Sequence, residues 1–132
     1  MKTHNINEIN GQQLFDGFLF GAKKIFDNQN YINKINVFPV ADADTGTNLA
    51  STFRAIVETA EVVIHLKTTA DSIADAALTG ARGNSGIIFA QFLYGFSNEL
   101  PDQESISVKE YAYSMQKAVR YAYEAVAHPV EG

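Results

Sequence analysis

Asp42 and Asp44 stand one residue apart in the stretch from Asn33 to Ala50, NKINVFPVADADTGTNLA. Two carboxylates so close repel each other unless a positive charge lies between them, and the stretch's only basic residue, Lys34, lies well upstream. A metal ion is the obvious candidate. Asn36 precedes the pair and Thr45, Thr47 and Asn48 follow it, so the donor set is all oxygen. Hard cations such as magnesium take carboxylate oxygens and keep positions open for water and phosphate oxygens. The run DADTGTN looks like the start of an EF-hand calcium loop, but that loop needs glycine at its sixth position and glutamate at its twelfth. Here Gly46 is fifth and the twelfth residue is Phe53, so that calcium reading fails. A simpler role stays open, in which Asp44 or Thr45 caps the helix that follows.

A second stretch, GARGNSG from Gly80 to Gly86, carries three glycines at three-residue spacing. Glycines let a backbone approach an anion closely, and the amides at the start of a following helix point at it. Asn84 and Ser85 add side-chain donors. The stretch is not a P-loop, because its last glycine is followed by Ile87 and Ile88 and not by lysine with serine or threonine, and it is not a dinucleotide fingerprint, because no strand precedes it. A tight corner between packed helices would use the same residues. Arg82 is equally suited to a phosphate or to a helix C-terminus. A carboxylate loop and a glycine loop, both at helix ends, together point to a magnesium-nucleotide site more strongly than either alone.

The elements that must position these loops read as helices. Leu14, Phe15, Phe18, Leu19, Ala22, Ile25 and Phe26 form an amphipathic stripe that starts near Ile9 and ends near DNQN. A second stripe, Leu49, Phe53, Ile56, Val57, Ala60 and Ile64, follows the aspartates directly, and EVVIHLK is assigned to this helix and its exit. A third helix is expected from about Thr69 to Gly80, with Thr68 or Thr69 as its N-cap. The segment Ile87, Ile88, Phe89, Phe92, Leu93 and Phe96 is too densely apolar for a surface helix and should be central. SNELPDQESIS reads as a polar loop, after which Ser107 caps a last helix that Pro129 ends. The fold class is all-α, with residues 1–132 as a single, partial domain.

Composition narrows the function. The 132 residues suffice for one core, and 46% hydrophobic with 19% charged residues is ordinary for a globular chain. A net charge of −5 with scattered basic residues argues against nucleic acid as partner. The absence of cysteine rules out disulfides, zinc-thiolate sites and a thiol nucleophile. The polar start MKTHNINEING and the lack of a long apolar run suggest a cytoplasmic protein without membrane insertion. His4, His65 and His128 are isolated and read as surface or helix-end residues. The tyrosines of the last helix, Tyr111, Tyr113, Tyr121 and Tyr123, read as core and boundary residues.

The two loops together carry a family resemblance. NVFPVADADTGTN resembles the N-V-F-P-V-P-D-G-D-T-G-T-N signature of the dihydroxyacetone kinase L-domain family, and GARGNSG matches that family's second motif at the expected distance. The spelling NVFPV is closest to the subgroup headed by fatty acid kinase, in which the domain is the N-terminal part of a longer chain. The terminal HPVEG is similar to the family's K-P-V-E-G.

The resemblance implies an antiparallel helical barrel of about eight helices, with ATP or ADP at one end beside magnesium ions. Asp42 and Asp44 match two metal ligands, and Asn36 occupies approximately the place of a third. Thr45, Gly46, Thr47 and Asn48 fall where the family contacts phosphates, and Gly83, Asn84 and Ser85 where its second loop wraps the nucleotide. The implied activity is phosphoryl transfer to a triose, or to a fatty acid presented by a separate carrier protein. The alternative is a non-catalytic module that binds nucleotide or a partner. Two departures matter. Ala41 and Ala43 replace the family's proline and glycine, and alanine at Ala43 costs about 1 kcal/mol if that position has positive φ. The chain also stops where the family has further helices. Uncovered apolar faces would then favour a homo-oligomer, or the chain would be a piece of a longer protein.

Overall fold

The computed structural model describes residues 7–37 and 42–127. His4, His128, Pro129 and the Phe38 to Ala41 part of the aspartate stretch lie outside them. Among the described residues, six helices and one small antiparallel ribbon follow in the order β1 (Glu8–Asn10), α1 (Gly11–Asp27), α2 (Gln29–Lys34), α3 (Thr45–Thr59), α4 (Leu66–Gly80), α5 (Gly83–Glu99), β2 (Ser105–Ser107) and α6 (Val108–Ala127). The all-α class therefore holds, as a helical bundle.

Helix α1 begins at Gly11 rather than near Ile9, because Glu8 to Asn10 pair with Ser105 to Ser107, Ile9 opposite Ile106. Asn10 then caps α1 reciprocally. Its Oδ1 accepts from Gln13 N–H at 3.0 Å, and Gln13 Oε1 accepts from Asn10 N–H at 2.9 Å. Helix α2, too short to show a period, follows directly through Asn28. At the far end, Ser107 caps α6 as expected, its hydroxyl accepting from Glu110 N–H at 3.1 Å while Glu110 returns to Ser107 N–H at 3.0 Å.

The second and third helices differ from expectation. α3 stops at Thr59, and EVVI is not helical. Neighbouring elements supply partners for that segment's backbone: Glu61 N–H donates to Ser72 Oγ at 2.7 Å, Val63 N–H to Thr69 Oγ1 at 2.9 Å, and Ile64 C=O accepts from Gly11 N–H at 2.7 Å. These satisfied groups offset the ones the helix would have used. Thr69 is consequently buried inside α4 rather than capping it. His65 is the cap, with Nδ1 accepting from Thr68 N–H at 3.2 Å.

Helix α5 packs against α3, α4 and α6 and is central, as its composition predicts. Its Ala90, Leu93 and Phe96 meet Leu14 of α1, Ile56 of α3, Ile73 and Ala77 of α4 and Ala118 of α6 in one core. Each large apolar side chain buried there contributes about 2 kcal/mol. Phe89 is only half-buried. It stacks on Phe53 with ring centroids 4.8 Å apart and lines an open apolar cavity of about 480 Å³ together with Leu14, Phe18, Phe96 and Met115. Of the four tyrosines, Tyr111 lines this cavity, and burial raises its phenol above the usual range. Tyr121 donates to Glu99 Oε2 at 3.0 Å, while Tyr113 and Tyr123 are exposed, contrary to a core or boundary place.

Candidate functional site

Helix α3 starts without a side-chain cap of its own. Asp44 takes the N-cap position, but its carboxylate accepts no capping hydrogen bond, so neither Asp44 nor Thr45 plays the simpler role. The cap comes from eight residues upstream: Asn36 Oδ1 accepts from Asp44 N–H at 3.0 Å and from Thr45 N–H at 3.1 Å. An amide oxygen has two acceptor directions, and these bonds use both. Asn36, expected as a third metal ligand, fixes the start of the helix through this oxygen.

That arrangement leaves the Asp44 carboxylate without capping work. Asp42 is exposed and Asp44 half-buried. A hydrogen bond shared with the Asp44 carboxylate, reinforced by lost hydration and by the Asp44 charge, holds the Asp42 carboxyl above its usual 3.8. Ala43 between them has φ 60, the left-handed region in which an alanine is strained by about 1 kcal/mol. Ala43 therefore occupies the positive-φ conformation in which the family's glycine would be unstrained.

Among the described residues, no three acidic or histidine side chains gather into a metal-binding group. Two adjacent carboxylates still fit magnesium, which binds through one or two of them and completes its shell with water and phosphate oxygens. They do not fit a cation that needs an all-protein cage.

The glycine loop reaches the same helix. Gly83 opens α5 with φ +68, and a Cβ there would lie 2.1 Å from Asn48 Nδ2, so only glycine allows the approach. Asn48 itself is buried. One turn further along α3, Thr52 donates to Asn48 C=O at 2.8 Å and accepts from Arg82 N–H at 3.2 Å. Asn48 and Thr52 thus hold the residues before and at the start of α5 against α3. Asn84 and Ser85 are half-buried in the first turn of α5, and Arg82, at its N-cap position, is exposed.

Thr47 is held from the opposite side. Asn33 Oδ1 accepts from Thr47 N–H at 3.0 Å, and the hydroxyl accepts from Asn33 Nδ2 at 3.0 Å and Gln29 Nε2 at 3.3 Å. Gly46 permits this, since a Cβ there would meet Gln29 C=O at 2.2 Å. The sequence gives no sign of Asn33, Gln29 or Thr52 as site residues, because isolated polar residues beside a stripe look like surface. Their partners become visible only when α2 and α5 are packed on α3. His65, by contrast, is a helix-end residue as expected, with Nε2 3.3 Å from Asp102.

The class this arrangement defines is a helical domain with a two-carboxylate loop and a glycine loop joined at one helix start. The family model of the DAK2 domain matches residues 39–132, and the chain belongs to that family, the dihydroxyacetone kinase type of nucleotide-binding module. An uncharacterised protein of Staphylococcus epidermidis is 37% identical over 129 residues, covering 96% of this chain and 23% of that protein. An uncharacterised protein of Staphylococcus aureus is 36% identical over 129 residues, with 96% and 24% covered. The chain therefore spans about a quarter of the length of these relatives.

Proposed function

We propose that the chain is the magnesium-dependent ATP/ADP-binding domain of a cytoplasmic kinase. The observation that carries this reading is the contact of Asn48 with Gly83, which joins the carboxylate loop to the glycine loop. Asp42 and Asp44 would hold magnesium, which when bound neutralises phosphate charge. Asn36 keeps the loop in place through the two N–H groups it accepts. Thr45 to Asn48 face the phosphates, and the start of α5 at Gly83, Asn84 and Ser85 offers backbone and side-chain donors. The phosphoryl acceptor is a triose, or a fatty acid brought by a separate carrier protein. The family resemblance supports that part of the reading.

A non-catalytic nucleotide-binding module is the second reading, favoured by the strained Ala43 between the two carboxylates. Titration calorimetry of ADP, with and without magnesium, tests what the two readings share. Magnesium-dependent binding that disappears in the Asp42→Ala, Asp44→Ala double variant is expected. Binding unaffected by magnesium or by that variant would overturn the site. Turnover of ATP, as opposed to retention of ADP, then separates kinase from module.

A further inference from the structure

We infer that Asn33, on α2, is a positioning residue that makes Thr47 an obligatory hydrogen-bond donor to an anionic ligand, in particular a nucleotide phosphate. This rests on the nucleotide reading above and deepens it.

Thr47 N–H can only donate, so the Asn33 atom 3.0 Å from it must be the amide oxygen, which fixes the amide and places Nδ2 at the Thr47 hydroxyl. That hydroxyl also receives Gln29 Nε2 at 3.3 Å. A hydroxyl accepts two hydrogen bonds and donates one. With Gln29 Nε2 turned to the hydroxyl both acceptor directions are occupied, and no other acceptor for its proton is present among the described residues. What the Thr47 hydroxyl has left to offer is a donated proton, three residues along the chain from Asp44 and one from Asn48. A phosphate oxygen takes such a proton and cannot return one. The same clamp would reject a ligand that presents a donor at this point. Asn33 is half-buried, and the close seating of α2 on α3 at Gly46 keeps its amide from turning away.

Asn33→Asp is the informative change. A carboxylate of the same shape still accepts Thr47 N–H, but it would also accept the hydroxyl proton, turning the donor inward. ADP titrated calorimetrically in magnesium into wild type, Asn33→Asp, Thr47→Val and the double variant gives a cycle. Each single variant should weaken ADP by about tenfold, as loss of a hydrogen bond to a charged group does. The double variant should be no weaker than Thr47→Val alone. Asn33→Ala, which adds no charge, is the second variant, and its smaller loss should likewise vanish beside Thr47→Val. Circular dichroism confirms helix content in each. Multiplicative losses in the double variant would show that Asn33→Asp acts by charge repulsion alone and would overturn the proposal, as would unchanged affinity in both Asn33 variants. A wild type that binds no ADP would overturn the nucleotide reading together with it. A wild type that binds ADP with additive variants would overturn only the role of Asn33.

Discussion

Helices α1, α4 and α6 begin with caps supplied by their own sequence, Asn10 with Gln13, His65, and Ser107 with Glu110. Helices α3 and α5, which meet through Asn48 and Gly83, have no side-chain cap at their own N-cap residues. The first three starts are closed locally and could be read from a few consecutive residues. The start of α3 is assembled from a distance, by Asn36 and Asn33, and α5 is tied down through Thr52. A local cap saturates amide donors with protein groups, whereas a start held from outside can keep its side chains for a ligand. Among the five longer helices, the difference separates starts that serve stability from starts that serve the candidate site.

The largest effect is expected at Gly83. Gly83→Ala forces a left-handed alanine and a contact with the Asn48 amide, so it should cost about 3 kcal/mol and weaken nucleotide binding. Urea melts and ADP titration read both; a harmless substitution would mean the two loops are not tightly joined. The two kinds of cap should respond differently. Asn36→Ala should cost about 1.5 kcal/mol and lower ADP affinity, whereas Ser107→Ala should cost about 1 kcal/mol and leave ADP affinity unchanged. Equal effects on affinity would erase the distinction.

Ala43→Gly tests the strain between the carboxylates in the opposite direction. Relief of φ 60 should stabilise the fold by about 1 kcal/mol, measured as a shift in the urea midpoint. A loss of stability, the ordinary cost of placing glycine, would show that the backbone there is not strained.

The smallest effect concerns pH. Because the Asp42 carboxyl is raised, its contribution to stability is fully present below 3.8 and is lost as pH rises through the folded value. In the absence of metal, Asp42→Asn should therefore melt slightly above wild type at neutral pH. The gap should narrow as the solution is acidified, and magnesium should close it. A gap that ignores both would mean the carboxylates do not interact.

Much of the bundle was legible in sequence because α1, α5 and α6 are long enough for their apolar stripes to repeat. The end of α3 was not, since Ile64 falls in phase with the stripe although it is exposed, and its backbone is claimed by Gly11. The β1 and β2 pairing joins residues nearly a hundred positions apart, and neither three-residue strand shows a period. At the candidate site the aspartates and glycines were visible as motifs. The amide clamp on Thr47 and the Thr52 bridge were not, because ordinary polar side chains gain their meaning from the neighbouring helix.

The most direct measurement is an amide-resolved nuclear magnetic resonance titration of the ¹⁵N-labelled protein with ADP and magnesium. The amides of residues 44–48 and 83–86 are expected to shift together with a single affinity, while those at the starts of α1 and α6 do not. Shifts confined to one of the two loops, or spread equally over the locally capped helix starts, would contradict a shared nucleotide site.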